Sequence, residues 1–195
     1  MDGVTLSMVE VRRAADKFLN QYNSNNQLPV AIEEIAELKL KIFLCVIPGI
    51  KNLIGIDGFI TSDFSQITID EHCYIKYPER TRFTIAHEIG HKILHQNWYQ
   101  KNGPTDFNKY HDFFSKINDK DHRYMEIQAQ TFAGLILVPT KSLNAELIKR
   151  LGKIPNNEDV ELLVSTIFDL ITLFKVSGDV LYRRMVKEGI IKKIL

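Results

Sequence analysis

The sequence predicts an α+β fold, on three observations. Apolar residues recur at helical spacing in several stretches, the first carrying Met8, Val11, Ala15, Phe18 and Leu19 on one face. β-Branched and aromatic runs cluster between residues 41 and 70. Helical patterns then occupy most of the remainder, so strands and helices come in separate blocks.

Taken in order, residues 4–21 read as a first helix, broken by the turn formers and proline of "NSNNQLP". "VAIEEIAELKL" reads as a short second helix bearing Ile32, Ile35 and Leu38. "KIFLCVIPG" is a strand closed by Pro48-Gly49, and "GIDGFITSDFSQITIDE" a hairpin whose β-rich arms flank "TSDFSQ". A small antiparallel sheet of about three strands is therefore expected. Pro78 sits where helix starts prefer proline, with Glu79 behind it, and that helix runs to about His95. Residues 96–121 are polar with interspersed aromatics, a long connection of the kind that forms lids and binding loops. "RYMEIQAQTFAGLILVP" is helical up to Pro139, and two helical stretches near 140–151 and 157–174 precede "VSGDVLYRRMVKEGIIKKIL". With no repeat and no linker composition, the expectation is one domain over 1–195, with a core at 28–139 and a helical C-terminal part at 140–195.

Composition narrows the class. Of the 195 residues 45% are hydrophobic and 25% charged, enough to bury a core, and the net charge of +1 gives no overall footprint for nucleic acid or membrane. Cys45 and Cys73 are too few and too distant for a disulfide scaffold and read as buried free thiols. The opening residues lack a signal-peptide pattern, and the most apolar stretch, "VELLVSTIFDLITLF", is interrupted by Asp169. A cytoplasmic protein is expected.

The chemistry is concentrated in "TRFTIAHEIGHKILH", which holds three of the six histidines. His87-Glu88-Ile89-Gly90-His91 is an HExxH arrangement. Residues four apart on a helix differ by about 40° in azimuth and about 6 Å in rise, so both imidazoles reach one ion. Zinc accepts such ligands and keeps one position open for water, whose pKa it lowers towards about 7. Glu88, next to the first ligand, is placed to act as general base, which is the metallopeptidase logic of the motif. Ordinary helix residues are the plain alternative, but Phe83, Ile85, Ile89, Ile93 and Leu94 indicate a buried helix. Burying unpaired histidines and a glutamate without purpose is costly.

A catalytic zinc needs a third ligand. His95 lies about 12 Å along the axis from His87, too far on a straight helix. The extended HExxHxxGxxH pattern requires glycine at 94 and histidine at 97, where this chain has Leu94 and Asn97. His95 reads instead as a packing or supporting residue, its charged form favoured by the helix dipole. Glu126 is the better third ligand, with Ala129 and Ala133 on the same face of a second helix and Gly90 opposite to allow close approach. An isolated glutamate on an amphipathic helix would by default be a surface residue. Gln130, one turn on from Glu126, is a candidate to accept a hydrogen bond from a ligand histidine and fix its tautomer. Zinc is preferred on ligand type, while manganese or iron also suits two histidines and a carboxylate.

"RFTIAHEIGHKILH", followed some thirty residues later by "EIQAQTFAGLILVP", resembles the ImmA/IrrE-type metallopeptidases. "LPVAIEEIAELKL" and "FKVSGDVLYRRMVKEGII" are similar to the flanks of that family. The resemblance implies a zincin-like metallopeptidase domain, with His87, His91 and Glu126 as metal ligands and Glu88 as catalytic acid/base. Gln128 stands where the family commonly has a second glutamate, and Gln130 where asparagine is usual. It further implies a cytoplasmic endopeptidase acting on helix-turn-helix repressors of mobile elements or stress genes. A non-cleaving, metal-stabilised antirepressor or antitoxin-like binder is the alternative.

For substrate, strands at 41–70 offer an edge on which an extended peptide could pair. The aromatics Trp98, Tyr99, Phe107, Tyr110, Phe113 and Phe114 form either a docking surface or a plug into the core. The C-terminal segment, with Arg183, Arg184, Lys192 and Lys193, has the character of a helix-turn-helix second element. A helix packed on the catalytic part is preferred over a DNA contact, given the near-neutral charge. His72, His111 and His122 have no partner spacing and read as structural or surface residues, with His111 or His122 the candidates for oxyanion stabilisation.

Overall fold

Strands β1 (Phe43–Ile47), β2 (Gly58–Ile60) and β3 (Gln66–Asp70) form a sheet in the order β1-β3-β2. The computed structural model describes residues 6–116, 119–155 and 160–192. β2 and β3 make the expected antiparallel hairpin, with Gly58 opposite Ile69 and Ile60 opposite Ile67. β1, however, runs parallel to β3, so the sheet is mixed rather than antiparallel. A helical turn between β1 and β2, bracketed by Gly49 and Gly55 at φ 79° and 77°, reverses the chain. The hairpin then returns β3 into the place beside β1.

Helix α1 (Met8–Tyr22) opens on a capping box between Ser7 and Glu10 and buries Val11, Ala15 and Phe18. Phe18 meets Phe132 edge-on, ring centroids 5.6 Å apart. α2 (Ile32–Glu34) passes into a π turn over Ile35–Lys39. Ile32, Ile35 and Ala36 are buried, but Leu38, expected inward, is 61% exposed. The i→i+5 bonding of the π turn, closed by Leu40 N–H on the Ile35 carbonyl, abolishes the spacing that would have aligned Leu38 with Ile35.

The helical turn after β1 is α3 (Ile50–Ile54), and α4 (Glu71–Lys76) follows β3 directly, capped by Asp70. Cys73 on α4 is buried and Cys45 on β1 half-buried; both are free thiols. Next come α5 (Pro78–Leu94), α6 (Gln96–Asn102), α7 (Phe107–Lys116) and α8 (Asp119–Leu137). The segment 96–121 is thus mostly helical, not an open loop. Tyr99 and Phe113 are buried, and Trp98, Tyr99, Tyr110 and Phe113 meet one another edge-on or tilted at centroid distances of 5.7 to 5.9 Å. Their mutual burial stabilises helices that polarity alone did not announce. Phe114's side chain lies outside the described residues.

α5 and α8 pack along one another. A Cβ on Gly90 would lie 3.2 Å from the Ala129 Cα and 3.3 Å from its carbonyl oxygen, so only glycine allows this approach without a shift. α9 (Thr140–Leu151), α10 (Val160–Phe174) and α11 (Gly178–Lys187) complete the described helices. Arg184 of α11 is 2% exposed: its guanidinium donates to the Val138 carbonyl, the Thr140 hydroxyl and Glu188. Arg183 pairs with Asp179 one turn earlier. Arg184 therefore ties α11 to the end of α8 and is not presented to solvent. Lys192 is exposed, and Lys193 lies outside the described residues. Among the described residues no helix is long and apolar enough to cross a membrane.

Candidate metal centre

α5 is anchored before it reaches its histidines. Buried Arg82 donates to the Val30 carbonyl at 2.6 Å, to Glu33 at 2.7 Å and to the Lys175 carbonyl at 3.2 Å, tying the helix to segments distant in sequence. On the opposite side β2 approaches α5 at Gly58, where an added Cβ would lie 2.9 Å from Thr84 Cγ2 and 2.6 Å from the Thr68 carbonyl. The helix, the edge strand and α8 enclose a cavity of 270 Å³.

His87, His91 and Glu126 turn their ligand atoms towards one another in this cavity. The two Nε2 atoms are 3.0 Å apart, and Glu126 oxygens lie 3.2 Å from each. A tetrahedral zinc with bonds of about 2.0–2.1 Å has ligand atoms about 3.3 Å apart, so the spacing is that of one face of such a site. The donors fit a divalent cation chemically as well as geometrically. Burial alone would raise the Glu126 pKa, but hydrogen bonds and charge from His87 and His91 outweigh it and hold the carboxyl far below its usual range. For the residues alone, desolvation lowers His91, while Glu126 overcomes the same effect at His87 and raises it.

Glu88 faces the same cavity and is 5% exposed. Its Oε2 accepts the Ile60 N–H of β2 at 3.0 Å. Burial pushes its pKa up to about 8; Glu126 adds to the rise, and His87 and the Ile60 bond oppose it.

His95 is not near the shared donor atoms, as its position along the helix predicted, and supports His91 from behind. Gln128 Nε2 donates to the Leu6 carbonyl at 3.0 Å, which turns Gln128 Oε1 towards His95 Nε2 at 2.8 Å. His95 Nε2 therefore carries its proton and Nδ1 its lone pair. His95 Nδ1 lies 3.1 Å from His91 Nδ1, so His91 is protonated there and offers an Nε2 lone pair to the cavity. The expectation of a charged His95 is overturned. At 2% exposure, desolvation and the neighbouring His91 push its pKa down to about 3, outweighing any helix dipole.

Gln130 is exposed and lines the cavity, and the partner of His91 Nδ1 is His95. His122, the oxyanion candidate, lies in the cavity wall, as do Tyr99 and Tyr110, two of the aromatics expected at a docking surface or in the core. His122 lines the cavity with Nε2 3.6 Å from Glu126, one helical turn before it. Tyr99 stacks on His91 with ring centroids 4.7 Å apart. Tyr110 rests on Phe59, and burial, with Glu88 and Glu126 nearby, raises its phenol. The i,i+4 spacing of His122 and Glu126 was the available signal for the first. His111's side chain lies outside the described residues.

A family model for the IrrE N-terminal-like domain, peptidase M78, matches residues 56–185, two-thirds of the chain and the whole of this site. The chain belongs to the IrrE N-terminal-like (M78) family. This is a family of metallopeptidases, and among the described residues of this M78 chain the His/Glu cluster is the group able to hold a metal. No curated protein matches the chain. Among solved structures, a Mycobacterium tuberculosis transcriptional regulator is similar in fold, with a TM-score of 0.55 at 13% identity. The match covers 91% of this chain and 47% of the regulator, so the M78 chain spans about half the length of that protein.

Proposed function

We propose that this protein is a zinc-dependent endopeptidase in which His87, His91 and Glu126 hold the ion and Glu88 is the catalytic acid/base. The observation that carries this reading is Glu88 itself: a buried carboxyl in the cavity of the His/Glu cluster, anchored through one oxygen to an edge strand. The ion, when bound, would acidify a water and polarise the scissile carbonyl. Glu88 Oε1 would take the proton from that water and deliver it to the leaving amine. The Ile60 N–H keeps Oε2 in place and so orients Oε1 throughout. His122 and Tyr110 line the same cavity and supply the donors available to a developing oxyanion. β2 is an edge strand along this cavity, and an extended substrate segment pairs there.

The target is a helix-turn-helix transcriptional repressor in the cytoplasm. Support comes from the sequence resemblance and from a fold neighbour that is itself a transcriptional regulator. Residues 28–139 act as the catalytic core, with 140–195 a helical part fastened to it through Arg184. Zinc-loaded wild type and Glu88→Gln should be incubated with candidate repressors and the products weighed. Fragments from wild type alone, at equal zinc content, support the reading. Fragments from both proteins overturn the role of Glu88. An intact repressor released from its operator by both would establish the non-cleaving binder.

A further inference from the structure

A second cavity, of 590 Å³, lies beside the metal centre between α5, α8 and α11. The two share Asp57, Phe83, Thr84 and Gln130 in their walls, so a chain lying across the first can place a side chain in the second. Most charges lining this second cavity are matched. Arg80 pairs with Asp57, Arg183 with Asp179, and Arg184 with Glu188. Lys187 differs. Its ammonium reaches Thr131 Oγ1 at 2.7 Å, and among the described residues no carboxylate lies within ion-pair distance. Thr131 gives its own proton to the Ile127 carbonyl at 2.7 Å, so it orients the ammonium without neutralising it. Lys187 is an exposed residue whose partial desolvation lowers its pKa, and Arg184, Arg183 and Arg12 push in the same direction. Glu79, the remaining acid of the wall, is exposed and makes no ion pair among the described residues.

We propose that this cavity is a specificity subsite for a carboxylate of the substrate, bound by the Lys187 ammonium. The ammonium has three donors and Thr131 takes one, leaving two for a carboxylate. Such a charge-assisted bond is stronger than one between neutral groups. The proposal rests on the peptidase reading for the substrate to be a peptide. The carboxylate is either an acidic side chain or a peptide C-terminus, and the two are separable.

The test is retention of random nonapeptide pools, with free or amidated C-termini, on immobilised zinc-loaded Glu88→Gln protein. The same pools are passed over Glu88→Gln/Lys187→Met and Glu88→Gln/Lys187→Arg. Retained peptides are sequenced by mass, and melting curves check that each variant is folded. The expected result is about tenfold enrichment of Asp and Glu at one position, lost with Lys187→Met and kept with Lys187→Arg. Enrichment among amidated peptides assigns a side chain; enrichment confined to free C-termini assigns the terminus. An identical profile with Lys187→Met, or no retention by any protein, overturns the subsite. Wild type run alongside separates the two readings: retention that depends on Lys187 without cleavage removes the peptidase, and cleavage without that dependence removes the subsite.

Discussion

His91 and His95 face one another through their Nδ1 atoms at 3.1 Å, and that contact determines which nitrogen His91 presents to the cavity it shares with His87 and Glu126. The order of proton placement runs from Leu6 through Gln128 and His95 to His91. Gln128→Leu removes the acceptor that keeps the His95 proton on Nε2. Zinc affinity, measured by chelator competition, is expected to fall roughly 10- to 100-fold. Unchanged affinity would show that His91 needs no such support.

Glu126 and Gln130 sit one turn apart on α8, and only the first points a donor at the histidines. Zinc at a hundredfold excess over its dissociation constant stabilises a single-site protein by about 2.7 kcal/mol. Glu126→Gln should abolish most of that rise in melting temperature, whereas Gln130→Ala should keep it. Equal loss in both variants would remove Glu126 from the ligand set.

Glu88 gives the chelator-treated protein a defined pH dependence. Its folded pKa, about 8, exceeds the ordinary value of 4.5, so between these limits the folded state holds a proton that the unfolded chain has released. Stability from this group is therefore greatest below pH 4.5 and falls as pH rises towards 8, by an amount on the order of a few kcal/mol. Glu88→Gln should flatten that slope and raise stability at pH 8 in urea titrations. A slope that survives the substitution has another source.

Glu188 has the opposite sign. Burial would raise its pKa, but hydrogen bonds and charge from Arg184 and Arg12 prevail and lower it. Its contribution is present above the ordinary carboxylate value and lost as pH falls through the depressed folded value. Glu188→Gln should cost roughly 1–3 kcal/mol at pH 7 and much less in acid, read from denaturation midpoints at both pH values. A cost independent of pH would mean the Arg184 pair adds no charge-dependent stability.

Gly90 is the position where α5 and α8 can be pried apart. Alanine would recover about 1 kcal/mol of helix propensity. The atoms it meets include the Ala129 backbone, which yields only by moving α8, at a cost of about 1–3 kcal/mol. Gly90→Ala should destabilise the protein on balance and weaken zinc binding, because Glu126 travels with α8. Tighter binding or a higher melting temperature would count against this packing.

The sequence by itself determined what depends on neighbours within one helix. His87, Glu88 and His91 were legible because an α-helix brings i and i+4 together whatever surrounds it. Glu126 was legible by its small neighbours Ala129 and Ala133, and Gly90 marked where a second helix would come close. The segment 96–121 stayed unread because its helices are stabilised by aromatic contacts that polarity hides.

Only the tertiary structure decided the rest. β1 pairs parallel to β3 because the chain reverses at α3, and strand pairing is set by contacts distant in sequence. His95 is neutral because burial outweighs a local dipole, and its partner Gln128 lies thirty-three residues away. Arg184 and Lys187 are one turn apart on α11 and line one cavity, yet Arg184 is buried and paired with Glu188 while Lys187 is exposed and held by Thr131. Desolvation and partner geometry exist only once helices have packed, and they turn a pattern of ligating residues into a site with assigned protons.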